Sequence, residues 1–162
     1  MSKIFILIGL PGSGKSTWIN NNLDVIGDAV ICSTDDMIDE WAANHPDGPL
    51  TYSEAFDKAP RNDFEKRFFE DIAWAAKNGL PIVIDRTNMT AKGRRRILSM
   101  VPESYEKIGV VFDVDENVLE TRLSNRAASI GKHIPNMVIS RMRSSYEAPY
   151  GGEFDNIITV KY

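Results

Sequence analysis

A glycine-rich run near the N-terminus has the residue types and spacing that bind phosphate. The run from Gly9 to Trp18 reads GLPGSGKSTW and directly follows the apolar segment 4–8. Glycines let backbone N–H groups converge on an anion, and a helix that begins at the loop directs its positive dipole end to the same place. A short buried strand, then Gly-x-x-x-x-Gly-Lys-Ser, then a helix predicts a P-loop that binds a nucleoside triphosphate.

Two residues of this loop have distinct expected roles. Lys15 can reach the β- and γ-phosphates, and the Ser16 hydroxyl can hold Mg²⁺. The rest of the loop is expected to contact the nucleotide through Gly9, Pro11, Gly12, Ser13, Gly14 and Thr17.

Carboxylates follow three further apolar runs of the chain. Asp35 and Asp36 follow the second run, Asp85 follows the third, and Asp113 and Asp115 follow the fourth. Ligands of open parallel sheets bind outside the carboxyl ends of the strands. We therefore expect these carboxylates to converge with the loop at one edge of a sheet.

The chemistry of these carboxylates can be assigned in outline. Asp85 has the position of an aspartate that holds Mg²⁺ directly or through water. Either Asp35 or Asp36 could accept the proton of an attacking hydroxyl, and their spacing does not rank one above the other. The alternative role is capping of the helices that follow, which Asp36 or Ser33 could provide instead of Asp35, and Thr87, Asn88 or Thr90 instead of Asp85.

Two arginines form the other charged group of interest. Arg122 and Arg126 lie four residues apart in a predicted helix and therefore share a face. An arginine that closes over a triphosphate neutralises the charge that develops in phosphoryl transfer. The segment 127–132 that follows is expected to be flexible, which suits a lid. The alternative is a pair of ordinary surface arginines.

Charge is unevenly distributed along the chain. The 162 residues carry a net charge of −4, yet the stretches 86–96 and 121–146 each hold five basic residues and no acid. This segregation predicts one electropositive face on an acidic body, although solvated helix faces would give the same pattern. The single cysteine, Cys32, excludes an internal disulfide and favours a cytoplasmic location. No apolar run is long enough to span a membrane.

Apolar runs alternate with helical patterns, which predicts an α/β fold with a parallel sheet. We expect a single P-loop domain over residues 1–162, with helices on both faces of the sheet and a helical lid. Residues 44–53 are expected to form a loop. The predicted strands are 3–8, 29–32, 81–84, 108–114 and 157–160, and the predicted helices are 16–22, 36–43, 61–78, 90–100, 116–127 and 135–146.

Over nearly its whole length the chain resembles the kinase domain of the bacteriophage polynucleotide kinase family. The resemblance does not extend to the phosphatase domain that follows in the phage enzymes. It is carried by the GLPGSGKSTW run, Asp35-Asp36, Asp85-x-Thr87-Asn88, Phe112-Asp113-Val114 and Ser124-x-Arg126.

The resemblance implies that Lys15 and Ser16 bind ATP and Mg²⁺, that Asp35 rather than Asp36 is the general base, and that Arg126 contacts the phosphates. Arg86, Thr87 and Asn88 are expected to contact the acceptor together with Asp35. The phage family has an arginine that contacts the acceptor phosphate three residues after the base, where this chain has Ile38.

The expected function is transfer of the γ-phosphate of ATP to a hydroxyl of DNA or RNA. The preferred candidate for this acceptor is the 5′-hydroxyl of a polynucleotide. Ile38 leaves open a hydroxymethylated base in DNA, a free nucleoside or another small molecule as the acceptor. A regulatory GTPase is disfavoured because the sequence has no Asn-Lys-x-Asp motif. A non-catalytic RNA-binding module is disfavoured because binding alone needs no proton acceptor.

Overall fold

Five parallel strands form one sheet in the computed structural model, which describes residues 2–162. Their order across the sheet is β2-β3-β1-β4-β5, and every neighbouring pair is parallel. The predicted α/β fold with a parallel sheet is therefore confirmed. The strands are β1 (Lys3–Ile8), β2 (Val30–Cys32), β3 (Ile82–Ile84), β4 (Glu106–Asp113) and β5 (Asn156–Lys161).

Most of the helices begin and end within a few residues of their predicted bounds. The exceptions are α2 and α4, which the sequence analysis did not predict, and α7, which is longer than expected. The helices are α1 (Lys15–Asn21), α2 (Leu23–Ile26), α3 (Thr34–Ala43), α4 (Tyr52–Lys58), α5 (Arg61–Lys77), α6 (Ala91–Leu98), α7 (Glu116–Ile130) and α8 (Asn136–Ser145).

Both faces of the sheet are covered, which explains why β1 is apolar from Ile4 to Ile8. Ile4, Ile6 and Ile8 point to one face and pack in a cluster with residues of α5 and α6. Phe5 and Leu7 point to the other face and pack in a cluster with residues of α1. Successive side chains of a strand alternate between faces, so a strand that is buried on both sides must be apolar at every position.

The strand order places the P-loop at the middle of the carboxyl edge of the sheet. β1 lies between β3 and β4, so the chain crosses from one side of β1 to the other between these two strands. Such a reversal of strand order opens a crevice at the carboxyl ends of the strands, where ligands of open α/β sheets bind. None of the helices in residues 2–162 combines the length and apolar composition needed to cross a membrane.

Candidate active site

A cavity of about 1010 Å³ lies at this edge of the sheet. Its walls come from the P-loop, the residues that follow β2 and β3, the helix α4, and the pair α7 and α8. The lining side chains that bear on chemistry are Lys15, Ser16, Thr17, Asp35, Asp36, Tyr52, Asp57, Asp85, Arg86, Thr87, Arg122, Arg126, Lys132 and His133.

The conformation of the P-loop requires glycine at several positions. Gly12 and Gly14 have φ angles of 80° and 102°, in the region that favours glycine. A Cβ added at Gly9 would lie 2.5 Å from Oγ of Ser13. The Ser13 hydroxyl is buried and has no hydrogen-bond partner within residues 2–162. The loop is therefore a close-fitting backbone cradle of the kind that binds phosphate.

The ammonium group of Lys15 folds back onto the loop from which it arises. Its Nζ donates hydrogen bonds of 3.0 Å and 2.9 Å to the carbonyl oxygens of Gly9 and Leu10. These bonds hold the charge against the cradle, where an incoming phosphate would meet it.

Burial is the main influence on the protonation of Lys15. Desolvation lowers the pKa of Lys15 to about 8, although the nearby carboxylates of Asp85 and Asp35 oppose the shift. The guanidinium of Arg126 lowers the pKa further by like-charge repulsion. Asp35, Asp85 and Arg126 therefore all lie within electrostatic range of Lys15.

Asp85 and Ser16 supply oxygen atoms to the same part of the cavity. Burial raises the pKa of Asp85, and the ammonium of Lys15 opposes that shift. A hydroxyl and a carboxylate fit Mg²⁺, which uses few protein ligands and completes its shell with phosphate oxygens and water. Residues 2–162 contain no group of three or more His, Cys, Asp or Glu side chains that could hold a metal without such help.

Asp35 lies in the first turn of α3, but it does not cap that helix. The Ser33 side chain caps α3 by accepting a hydrogen bond from the backbone N–H of Asp36. The Asp35 carboxylate is exposed and accepts a hydrogen bond of 2.9 Å from the hydroxyl of Tyr52. Asp36 also lines the cavity, and its pKa is raised by burial and by the neighbouring Asp39 and Asp35. Asp35 is therefore the carboxylate whose orientation is set by a side chain of another element.

The two arginines of α7 lie on the P-loop side of the cavity. Nη1 of Arg122 donates to the carbonyl oxygen of Gly12 at 3.3 Å, and its guanidinium lies 4.9 Å from the ring centroid of Tyr162. Arg126 also lines the cavity.

The segment after Arg126 is more ordered than expected. We predicted a flexible stretch over residues 127–132, but α7 continues to Ile130 and ends at Gly131 with a φ of 68°. Alanine is a strong helix former, which favours this extension. Only the turn of residues 131–135 separates α7 from α8.

This turn, residues 131–135, is joined to α4 and α3. The Ser53 hydroxyl donates to the carbonyl oxygen of Gly131 at 3.1 Å. Nζ of Lys132 pairs with Oδ2 of Asp39 at 3.0 Å and lies 4.8 Å from the ring centroid of Tyr52. The element that carries Arg126 is thus linked through the turn to the elements that carry Asp35 and its partner.

The expected acceptor residues have different environments. Thr87 and Arg86 line the cavity, but both Nη atoms of Arg86 bind the Glu65 carboxylate, at 3.2 Å and 3.0 Å. Asn88 does not line the cavity, contrary to the prediction. Its amide donates to the carbonyl oxygens of Leu7 and Arg86. These hydrogen bonds tie the loop after β3 to β1.

Two further expectations are corrected. Asp113 ends β4 and Asp115 follows it, but neither lines the cavity, and Asp115 caps α7 by accepting from the N–H of Asn117 at 2.9 Å. Only three of the four strand ends therefore contribute to the site.

Arg94 does not contribute to a basic face, because it is fully buried and paired with Glu153.

Tyr52, Phe56 and Lys132 also line the cavity, although no pattern in the sequence assigned them to the site. A signal for α4 was present. Thr51 and Glu54 have the spacing of a capping box, and the Thr51 side chain accepts from the N–H of Glu54 at 3.3 Å. The partners of Lys132 lie far away in the sequence, so no local pattern points to it.

Residues 4–149 match the model of the family AAA_33, described as an AAA domain. The chain belongs to this family. Its fold is that of a P-loop kinase-like domain.

Solved structures agree with this fold. A protein from Chloroflexus aurantiacus j-10-fl, named provisionally as a kinase, has a TM-score of 0.68 and 16% identity, over 99% of this chain and 85% of that one. A sugar kinase from Janibacter sp. HTCC2649 has a TM-score of 0.60 and 18% identity, over 99% and 86%.

A third neighbour is a chain of the Pnkp1/Rnl/Hen1 RNA repair complex. It has a TM-score of 0.67 and 25% identity with this AAA_33 domain. The match covers 89% of this chain and 43% of that one, so the domain corresponds to less than half of the longer protein.

Proposed function

We propose that the protein is a kinase that transfers the γ-phosphate of ATP to a hydroxyl group of a nucleic acid. The preferred candidate for this acceptor is the 5′-hydroxyl of a polynucleotide. One observation carries the proposal. A single cavity holds the P-loop Lys15 and, beyond the neighbouring strand β3, the Asp35 carboxylate fixed by Tyr52. A phosphate donor and a hydroxyl acceptor could therefore meet between them.

The donor is bound by the P-loop and by α7. Lys15 leaves the carbonyl oxygens of Gly9 and Leu10 to bind the β- and γ-phosphates, while the loop N–H groups bind the same oxygens. Arg122 and Arg126 add positive charge from α7, on the wall of the cavity next to the P-loop. Ser16 and Asp85 would hold Mg²⁺, which supplies charge neutralisation at the phosphates when it is bound.

Asp35 is the general base in this proposal. As the acceptor oxygen forms its bond to the γ-phosphorus, the bond to the ADP oxygen breaks and the hydroxyl proton passes to the Asp35 carboxylate. Tyr52 binds Oδ1 of that carboxylate, so Oδ2 remains for the acceptor. Positioning and charge neutralisation are the main contributions that the protein must supply.

The choice of a nucleic acid acceptor rests on the 25% identity with a chain of an RNA repair complex. A second candidate keeps the chemistry and changes the acceptor to a hydroxymethylated base in DNA or a free nucleoside. It is favoured by the position of Ile38, which is 3% exposed and packs with Ala42, Ala55 and Ala59. That side of α3 therefore offers no positive charge to an acceptor phosphate.

The test is a transfer assay with γ-labelled ATP, Mg²⁺ and a panel of acceptors. The panel contains 5′-hydroxyl DNA, 5′-hydroxyl RNA, DNA with hydroxymethylated bases, and nucleosides. We expect label at 5′ ends, removable by a phosphatase. Label only on bases or nucleosides would support the second candidate, and bound ATP without transfer to any acceptor would contradict both.

A further inference from the structure

We propose that the acceptor half of the cavity binds the base of a neutral nucleoside unit on Phe56 and provides no charged site for a phosphate of the acceptor. The inference rests on the proposed function and names the chemical group that the same site recognises. We call the walls from α3, α4, the turn 131–135 and α8 the acceptor half, and those from the P-loop and α7 the donor half.

The two halves differ in charge. Lys15, Arg122 and Arg126 line the donor half, and none of them forms an ion pair with a carboxylate within residues 2–162. No acidic residue of the P-loop or α7 lines the cavity. Even with the Asp85 carboxylate, which acts on Lys15 from the end of β3, this half keeps the net positive charge that a triphosphate requires.

The acceptor half has the opposite balance. Asp35, Asp36 and Asp57 line it, and its Lys132 is already paired with Asp39 at 3.0 Å. At its border, Arg86 is paired with Glu65 through two hydrogen bonds. A phosphate in this half would have to displace a carboxylate from a cation or lie beside unpaired carboxylates, and both are unfavourable.

The remaining surface of the acceptor half suits a planar ring. Phe56 is 39% exposed, and its ring centroid lies 6.0 Å from that of Tyr52. Val138 and Met142 lie one turn apart on α8 and line the same cavity, with Ile134. Aromatic and apolar side chains of this kind bind a nucleobase through its flat faces.

The position of Phe56 relative to Asp35 connects the ring to the reaction. Tyr52 stands between them, since its ring packs near Phe56 and its hydroxyl binds Asp35. A base on Phe56 therefore lies within a short span of the carboxylate that would accept the sugar hydroxyl's proton. The guanidinium of Arg61 lies over the Phe56 ring, 4.6 Å from its centroid, but outside the cavity lining, so a base would use the part of the ring that lines the cavity.

The inference predicts which acceptors react well. A phosphate on the 3′ side of the reacting nucleoside brings no charge–charge attraction, so a nucleoside and its 3′-phosphate should have similar kcat/KM. An acceptor without a base loses the stacking, which lowers kcat/KM by about ten- to a hundredfold.

The experiment compares four acceptors with the full chain, Mg²⁺ and saturating ATP. They are a nucleoside, its 3′-phosphate, a 5′-hydroxyl oligonucleotide and ribose. We expect the 3′-phosphate to change kcat/KM by less than about threefold, well under the effect of losing the stacking. A gain of tenfold or more from the 3′-phosphate would overturn the inference and leave the proposed function intact. Transfer to ribose alone, or to none of the four while ATP binds, would overturn both.

Variants of Phe56 test the stacking surface itself. Phe56→Ala should raise the KM for the nucleoside about tenfold, while the KM for ATP stays unchanged. Phe56→Trp keeps an aromatic face and should restore the KM, whereas Phe56→Leu, which keeps only apolar bulk, should not. Trp74→Ala removes an exposed aromatic side chain outside the cavity and serves as the matched control. Equal KM values for Phe56→Leu and Phe56→Trp would contradict stacking.

Discussion

The hydroxyl of Tyr52 donates a hydrogen bond of 2.9 Å to Oδ1 of Asp35 and so joins α4 to the first turn of α3. Burial and the adjacent carboxylate raise the pKa of Tyr52, so the phenol remains a donor throughout the range of ordinary assays. Asp35 has no other side-chain partner within residues 2–162. The orientation of the proposed base thus depends on a single contact.

Loss of this contact should slow transfer without weakening ATP binding. Tyr52→Phe removes the donor but keeps the ring, and we expect kcat to fall about tenfold, the effect of one misplaced catalytic group. The KM for ATP and the free energy of unfolding should change little. Tyr150→Phe, at an exposed tyrosine outside the cavity, is the control. An unchanged kcat for Tyr52→Phe would show that the bond does not position the base.

The lowered pKa of Lys15 makes ATP binding depend on pH. The pKa is about 8, below the ordinary value of 10.5, so the free protein loses the ammonium charge as pH rises through 8. Phosphate binds the charged form, and the affinity for ATP should therefore fall above pH 8, by up to about tenfold per pH unit. Calorimetric titrations between pH 7 and 9.5 would measure this.

The same shift predicts the pH dependence of stability. Between pH 8 and 10.5 the unfolded chain binds more protons at Lys15 than the folded one, so this residue's contribution to stability rises with pH.

For the titrations of ATP binding, Lys15→Arg is the matched control because arginine keeps its positive charge from pH 7 to 9.5. A wild-type ATP affinity that stays level from pH 7 to 9.5 would contradict the lowered pKa.

Gly14 should tolerate no side chain. Its φ of 102° is strained for any L-residue, and a Cβ would lie 2.8 Å from Cε2 of Tyr162. We expect Gly14→Ala to lower stability by about 1–3 kcal/mol and to weaken ATP binding at least tenfold, because relief of the strained φ would change the shape of the cradle. Gly151→Ala, where no atom lies within 4 Å of the added Cβ, should change neither property. Fluorescent-nucleotide titration and urea unfolding would distinguish the two variants.

Arg94 stabilises the fold and takes no part in the proposed reaction. It is fully buried, pairs with Glu153, and donates to the carbonyl oxygens of Asn88 and Glu147. Arg94→Met leaves Glu153 unpaired in the interior and should lower the free energy of unfolding by about 3–5 kcal/mol. The exposed neighbour Arg95 provides the control, since Arg95→Met should stay within about 0.5 kcal/mol of the wild type. Equal unfolding midpoints in urea would refute this assignment.

The sequence predicted the donor side of the site better than the acceptor side. The P-loop is a continuous motif, and the strand ends that carry Asp35 and Asp85 follow buried apolar runs, so local patterns were sufficient there. Arg122 could be predicted as a candidate from its helical spacing relative to Arg126 alone. These features lie within a few residues of the pattern that predicts them.

The acceptor side depends on contacts between distant segments. α4 begins in a stretch whose Pro and Gly residues favour a loop, and Lys132 reaches Asp39 only in the folded chain. Arg94 looked like part of a basic surface because Glu153, which neutralises it, lies 59 residues away in the sequence. Long-range pairing of this kind leaves no periodic signal.

The most direct test of the central claim is phosphoryl transfer by Asp35→Asn. The substitution keeps the size of the side chain and removes its capacity to accept a proton. Transfer from γ-labelled ATP to a 5′-hydroxyl oligonucleotide should fall by about 10²–10⁴-fold, while the Kd for ATP stays near the wild-type value. Asp113→Asn, at the strand end outside the cavity, should retain normal transfer. A near-normal rate for Asp35→Asn would show that Asp35 is not the base and would contradict the account.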